Sequence, residues 1–122
     1  MNSGMSPSNK YGMNLNNIVE HIEEIQNVKK GSLEPGDYVL VKTVNSIYSI
    51  CKIKDDLFEV CGGWFDRKGL SPAVVPIRGC TWGGSIINLG VVAARGLFLE
   101  FGNNLTTSPI RKIVVIRLRQ LN

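Results

Sequence analysis

The chain has 122 residues, 43% of them hydrophobic and 20% charged, a composition typical of one globular domain with a buried core. Its formal net charge of +4 allows an acidic or nucleic-acid partner and does not require one. No run approaches the roughly eighteen apolar residues of a membrane span. Three cysteines without a C-x-x-C pair argue against a disulfide-stapled secreted scaffold. The sequence therefore predicts a cytoplasmic protein without a membrane partner.

The N-terminal region divides into a predicted leader and a predicted helix. Residues 1–13 are rich in Asn, Ser, Gly and Met, which is typical of a flexible leader, and a single domain is expected over residues 14–122. Between residues 14 and 30, apolar side chains recur at the spacing of one face of an amphipathic helix. These side chains are Leu15, Ile18, Val19, Ile22 and Ile25.

From residue 36 onward the pattern changes to short strands. Runs of β-branched and aromatic residues, separated by turns rich in Gly, Asn and Asp, predict seven or eight strands. The predicted strands cover residues 38–44, 47–54, 57–61, 74–78, 85–88, 91–94, 97–101 and 110–121. Because no strand alternates with a helix, the fold class is mainly β, within an α+β arrangement. We expect a small antiparallel β-barrel or roll over residues 36–121, with one N-terminal amphipathic helix.

The last predicted strand is apolar on both faces. One face carries Val114, Ile116 and Leu118, and the other mixes Ile113 and Val115 with three arginines. We expect the mixed face to point outward and to be partly covered by the helix or by a second subunit. Covered faces and exposed strand edges favour self-association. A homodimer is therefore expected.

Nine of the thirteen glycines fall between Gly62 and Gly102, in the stretch that also carries both tryptophans. This spacing indicates tight turns, and neither glycine pair in it matches a phosphate-binding fingerprint. Aromatic and basic residues cluster at these turns, which predicts a loop site for a small apolar ligand, a peptide or a protein partner. The candidate ligand-binding residues are Trp64, Phe65, Trp82, Arg67, Lys68 and Arg78.

Three functions are compatible with these residues. The favoured one is a non-catalytic binding or assembly module that acts through the aromatic, Gly-rich loops. The alternative is a small barrel that binds single-stranded nucleic acid, with bases stacked on the tryptophans beside Arg67, Lys68 and Arg78. The third is a cysteine-based enzyme using Cys61 or Cys80 with His21, the only histidine.

Metal and cofactor binding are not expected. One histidine and three cysteines lack the close ligand pairs of structural zinc sites. Both tryptophans also have an ordinary structural interpretation, because large aromatic side chains beside glycine turns often belong to the core of a small domain.

Two stretches resemble known proteins. The pattern L-x-P-G-D-x-V-x-V beginning at Leu33 resembles the first strand of SH3-like and related small barrels. The segment GCTWGGS beginning at Gly79, followed by LEF at Leu99 and TSPI at Thr107, is similar to small uncharacterised bacterial proteins. Some proteins of that kind travel as gene cassettes in integrons. The second resemblance implies a small β-rich bacterial protein and assigns no functional residue.

Overall fold

Ten β-strands and one short helix make up the described part of the chain. The computed structural model describes residues 18–82 and 87–120, with side chains described at 22–82 and 87–117. None of the described helices is long and apolar enough to cross a membrane. The elements are β1 (Ile18–Ile25), β2 (Asn27–Lys29), a 3-10 turn (Lys30–Ser32), β3 (Tyr38–Thr43), β4 (Ile47–Lys54), β5 (Leu57–Gly62), α1 (Gly63–Arg67), β6 (Ala73–Thr81), β7 (Ile87–Asn88), β8 (Val91–Ala94), β9 (Phe98–Phe101) and β10 (Thr106–Gln120).

Six of these strands close into an antiparallel barrel. Hydrogen-bonded neighbours follow the order β10-β3-β4-β5-β6, and β9 completes the ring because it pairs with both β6 and β10. The predicted small antiparallel β-barrel is therefore confirmed. Closure pairs both edges of each barrel strand, which is how small β-proteins avoid open sheet edges.

Alternate residues of each barrel strand fill the interior. Val39 and Val41 on β3 lie beside Val115 and Ile113 on β10, and all four are almost completely buried. Side chains in a strand point alternately to opposite faces, so the neighbours of these residues point outward. The largest fully buried side chains of the core are Phe58, Phe65, Phe101, Ile50, Ile77 and Leu99.

The predicted orientation of the last strand is wrong. The face with Ile113 and Val115 points into the barrel, not outward. Arg111 is the extra residue at a register shift between Ile110 and Lys112, so it does not follow the alternation. Arg117 shares the inward face and lies near the C-terminal end of β10. There it donates hydrogen bonds to the Ser32 carbonyl and the Asp37 carboxylate. Arg111 and Arg117 therefore do not mark the solvent-facing side of β10.

The predicted N-terminal helix over residues 14–30 is also wrong where the structure describes it. Ile18–Ile25 form β1, which pairs antiparallel with β10 from Ile18 opposite Gln120 to Ile25 opposite Ile113. The apolar residues of the predicted stripe are Ile and Val here, and their branched Cβ favours strands over helices. Pairing with eight residues of β10 makes residues 18–25 a strand and not a helix. Residues 14–17 and the predicted leader at 1–13 lie outside the described residues.

A second, two-stranded ribbon packs on the barrel. β2 pairs with β8, and it brings Val28 opposite Ala93. Both side chains are buried together with Val91 and Val92. The Cys80 thiol on β6 donates to the Val92 carbonyl oxygen at 3.4 Å, which ties the ribbon to the barrel wall.

Candidate functional site

The structure separates the predicted loop site into two places. α1 carries Trp64, Phe65 and Arg67 and directly follows β5, whose residue Val60 pairs with Ala73 at the start of β6. Trp82 follows the last residue of β6. At about 3.3 Å per residue, a nine-residue strand holds its ends roughly 26 Å apart. The two aromatic loops thus lie at opposite ends of β6.

The three predicted aromatic residues have different environments. Phe65 is only 1% exposed, and its ring contacts Tyr48, Trp64 and Phe101 with centroids 6.3, 5.3 and 5.1 Å away. Trp64 is half-buried and packs against this core. Trp82 is 61% exposed. Phe65 thus fills the barrel, whereas both tryptophans expose part of their surface.

The three predicted basic residues also differ. Arg78 forms an ion pair with Glu100 at 2.7 Å, so its charge is offset within the barrel wall. Arg67 donates to the Ser46 hydroxyl at 3.3 Å, and Lys68 is exposed beside it. The nucleic-acid alternative therefore depends on Trp64, Arg67 and Lys68, and it stays a prediction.

A carboxylate holds α1 against the barrel. The Ser71 hydroxyl and the Gly62 amide both donate to Asp66 Oδ1, the latter at 2.9 Å. These two hydrogen bonds hold the pKa of Asp66 below its usual range. The ionised carboxylate thus links both ends of the α1 segment and fixes the position of Trp64.

The thiols are placed unfavourably for nucleophilic chemistry. Burial raises the pKa of Cys80 to about 11 and also raises the pKa values of Cys51 and Cys61. His21 lies on β1, and β10, β3 and β4 separate that strand from Cys61 on β5. No group of three or more His, Cys, Asp and Glu side chains that could hold a metal ion is found among the described residues.

All three cysteines are expected to react slowly with an alkylating reagent at neutral pH. Thiolates are the reactive species, and a raised pKa leaves little thiolate until the pH approaches that raised value. The rate should increase roughly tenfold per pH unit below each pKa, with buried Cys80 the slowest. Mass spectrometry of iodoacetamide-treated native protein would measure this. Fast modification of Cys61 or Cys80 near pH 7 would contradict it and revive the enzyme hypothesis.

Apolar side chains also form a continuous surface on the outside of the sheet. One row of directly paired residues crosses the strands from Ile22 through Ile116, Tyr38 and Cys51 to Glu59. Residues paired in this way share a face of the sheet. A second row passes through Val114 and Leu40, and Val74 continues the first row beyond Glu59. We call this surface the outer face, and its residues are Ile22, Tyr38, Leu40, Cys51, Val74, Val114 and Ile116.

The outer face is accessible to a partner. Ile22 is 61% exposed, Val74 and Tyr38 are also exposed, and the other members are half-buried. Tyr38 lies directly opposite Cys51 on the neighbouring strand, so the phenol and the thiol share this face. Monomeric proteins rarely leave a contiguous apolar patch of this kind uncovered.

Two unpaired charges lie on the same side of the sheet. Glu59 belongs to the first row, and Lys42 lies two residues beyond Leu40 on β3. In the described part of the chain, neither side chain has an ion-pair partner, whereas Lys112 is paired with Glu24 at 3.9 Å. The outer face therefore combines an apolar centre with one free carboxylate and one free ammonium group.

Sequence reasoning missed most of this surface. A signal was present, because β3 is apolar at Tyr38 and Leu40 as well as at Val39 and Val41. A strand that is apolar on both faces indicates that both faces are covered. The same signal was recognised on the last strand.

Comparison with known proteins finds no matching family model, no matching curated protein and no matching solved structure. The resemblances to SH3-like barrels and to integron-cassette proteins therefore stay predictions. The functional argument depends on the geometry of the chain itself.

Proposed function

We propose that this protein is a non-catalytic assembly module that forms a homodimer through the outer face, in the cytoplasm. The observation that supports this is the contiguous apolar surface across β1, β10, β3 and β4. Burial of such side chains stabilises an interface by roughly 25 cal/mol per Å² of apolar surface removed from water. The exposed loops at Trp64 and Trp82 remain available for a further ligand or partner.

Charge placement favours a second copy as the occupant of the outer face. In a two-fold symmetric interface the same patch lies on both subunits, so if one residue contacts a second residue of the partner, the second contacts the first of the partner in the same way. An axis passing between Lys42 and Glu59 would place each lysine opposite the partner's carboxylate. Two equivalent ion pairs would then flank an apolar centre, which satisfies the two charges that lack partners within one subunit.

Pairing through the edge of the sheet is a weaker alternative. β1 is the outermost strand beside β10, so its second edge is open in the described residues. Two antiparallel copies of β1 would bring together Glu20, Glu23 and Glu24 of one subunit with the same residues of the other. Like charges facing each other across strands are destabilising. Acidic residues on an edge strand are a common means of preventing edge pairing.

Sedimentation equilibrium over a range of protein concentrations tests the dimer. We expect the wild-type protein to dimerise and Ile22→Lys to weaken the dimer at least about tenfold, because a charge enters the apolar interface. Ile22 is on the outermost strand and exposed, so the monomer should fold normally. The matched control is Leu89→Lys, since Leu89 is 58% exposed in the turn after β7 and lies off the outer face.

A charge swap tests the arrangement within the dimer. Lys42→Glu and Glu59→Lys should each weaken association, and the double variant should regain most of the loss. A wild-type protein that is monomeric at every concentration would overturn the proposal. Equal dissociation by Ile22→Lys and Leu89→Lys would also overturn it, because the effect would then not be specific to the outer face.

A further inference from the structure

A second surface feature lies where β10 changes partners. Its first residues pair with β9, and its later residues, from Ile113, pair with β1. A cleft of about 420 Å³ opens at this seam. Its lining residues are Gln26, Arg95, Gly96, Pro109, Ile110 and Arg111.

The backbone of the cleft is firmly held. The Arg95 amide donates to the Gln26 carbonyl at 2.9 Å, and the Gly96 amide donates to the Ile110 carbonyl at 2.8 Å. The Ile110 amide in turn donates to the Leu97 carbonyl at 2.8 Å. These bonds attach the turn between β8 and β9 to both neighbouring segments. The cleft is therefore a fixed feature of the barrel wall.

Two arginines from separate segments line this cleft. Arg95 comes from the turn, and Arg111 is the extra residue of the β10 bulge, a feature that often redirects a side chain at a binding site. Arg95 Nη1 donates to Gln26 Oε1 at 3.4 Å. Among the described residues, no carboxylate lines the cleft or pairs with either arginine. Glu24, two residues before Gln26, is paired with Lys112.

We infer that this cleft binds the phosphoryl group of a small organic phosphate. Two arginines without a carboxylate among the described lining residues give the cleft a positive charge, and guanidinium groups bind phosphate oxygens through paired hydrogen bonds. A phosphate monoester carries a charge of about −1.5 to −2 near pH 7, which matches two arginines better than a single carboxylate does. The cleft also falls within the roughly 300–1,000 Å³ range of small-molecule sites, so it has room for an organic group beside the phosphate.

Calorimetric titration of the full chain with adenosine 5′-monophosphate, inorganic phosphate and adenosine tests this inference. We expect the monophosphate to bind most tightly, inorganic phosphate to bind more weakly, and adenosine not to bind at the same protein concentration. Arg111→Gln and Arg95→Gln should each weaken binding by about ten- to a hundredfold, because each removes a charge-assisted contact. The matched control is Lys54→Gln, which removes one exposed positive charge from β4 and should leave binding unaltered.

The outcomes separate this site from the proposed dimer. The wild-type protein and the three variants should show the same dimer dissociation constant in sedimentation equilibrium, because the cleft lies outside the outer face. Failure of both phosphates to bind the wild-type protein at millimolar concentrations would overturn the inference. Equal weakening by Lys54→Gln and Arg111→Gln would overturn it too, since binding would then reflect only the overall positive charge.

Discussion

Phe65→Ala is expected to lower the free energy of unfolding by about 3–5 kcal/mol, the usual cost of removing a large aromatic side chain from a core. Phe65 is almost completely buried and contacts three other aromatic rings. Its loss would leave a cavity and would also remove edge-to-face contacts with Trp64 and Phe101. For a domain of this size the change corresponds to a fall of roughly 10–20 °C in melting temperature.

Trp82→Ala is the matched control for this experiment. It removes a larger side chain, but one that is mostly exposed, so stability should change by no more than about 0.5 kcal/mol. Urea denaturation followed by circular dichroism would measure both variants. Similar stability of Phe65→Ala and the wild-type protein would show that the ring is free to face a ligand, as the sequence pattern predicts.

Most barrel strands could be predicted because local signals define them. Ile47–Lys54 and Val91–Ala94 were predicted with the bounds that the structure has. Each is a short apolar segment ended by residues that suit turns, and Asp55 after the first takes a positive φ of 48°. Signals of this kind lie within a few residues of the strand they define.

The conformation of β1 could not be predicted in the same way. Ile18, Val19, Ile22 and Ile25 fit a helical stripe. In a strand Ile18 and Ile22 share a face with Glu20 and Glu24, so the local pattern favours a helix over a strand. The choice between them depends on β10, at the other end of the chain. A local sequence pattern contains no information about contacts at such sequence separation. Pairing with β10 therefore overrides the local preference of β1.

The candidate sites show the same limit. The apolar character of both faces of the last strand was evident, but its inward face was assigned wrongly because the Arg111 bulge interrupts the alternation. The cleft at Arg95 and Arg111 depends on that bulge and on the turn before β9. Neither feature follows from the spacing of the two arginines in the sequence.

Gly62→Ala is expected to destabilise the protein by about 3 kcal/mol or more, because two costs combine. Gly62 has a φ of +103°, a conformation that residues with a Cβ rarely adopt. It also lies opposite Tyr48 on β4, where an added Cβ would overlap the carbonyl oxygen of Ile47. Since that oxygen belongs to the backbone, the strands would have to separate to admit the methyl group.

Two other glycines separate these costs. Gly69 has a φ of +69° but open space around its Cα, so Gly69→Ala should cost only the backbone strain of about 1–2 kcal/mol. Gly31 has neither a positive φ nor a close neighbour. Gly31→Ala should therefore be neutral, or stabilising by up to about 1 kcal/mol because alanine lowers the conformational entropy of the unfolded chain.

The order of the three variants in urea denaturation decides how tightly α1 is held against the barrel. If Gly62→Ala is the least stable, the close approach of β5 to β4 fixes the start of α1, and with it the half-buried Trp64 and the exposed Arg67 and Lys68. If Gly62→Ala and Gly69→Ala are equally stable, the overlap with Ile47 is relieved at no cost. In that case α1 can move away from the barrel, and those side chains have no fixed arrangement for a partner to recognise.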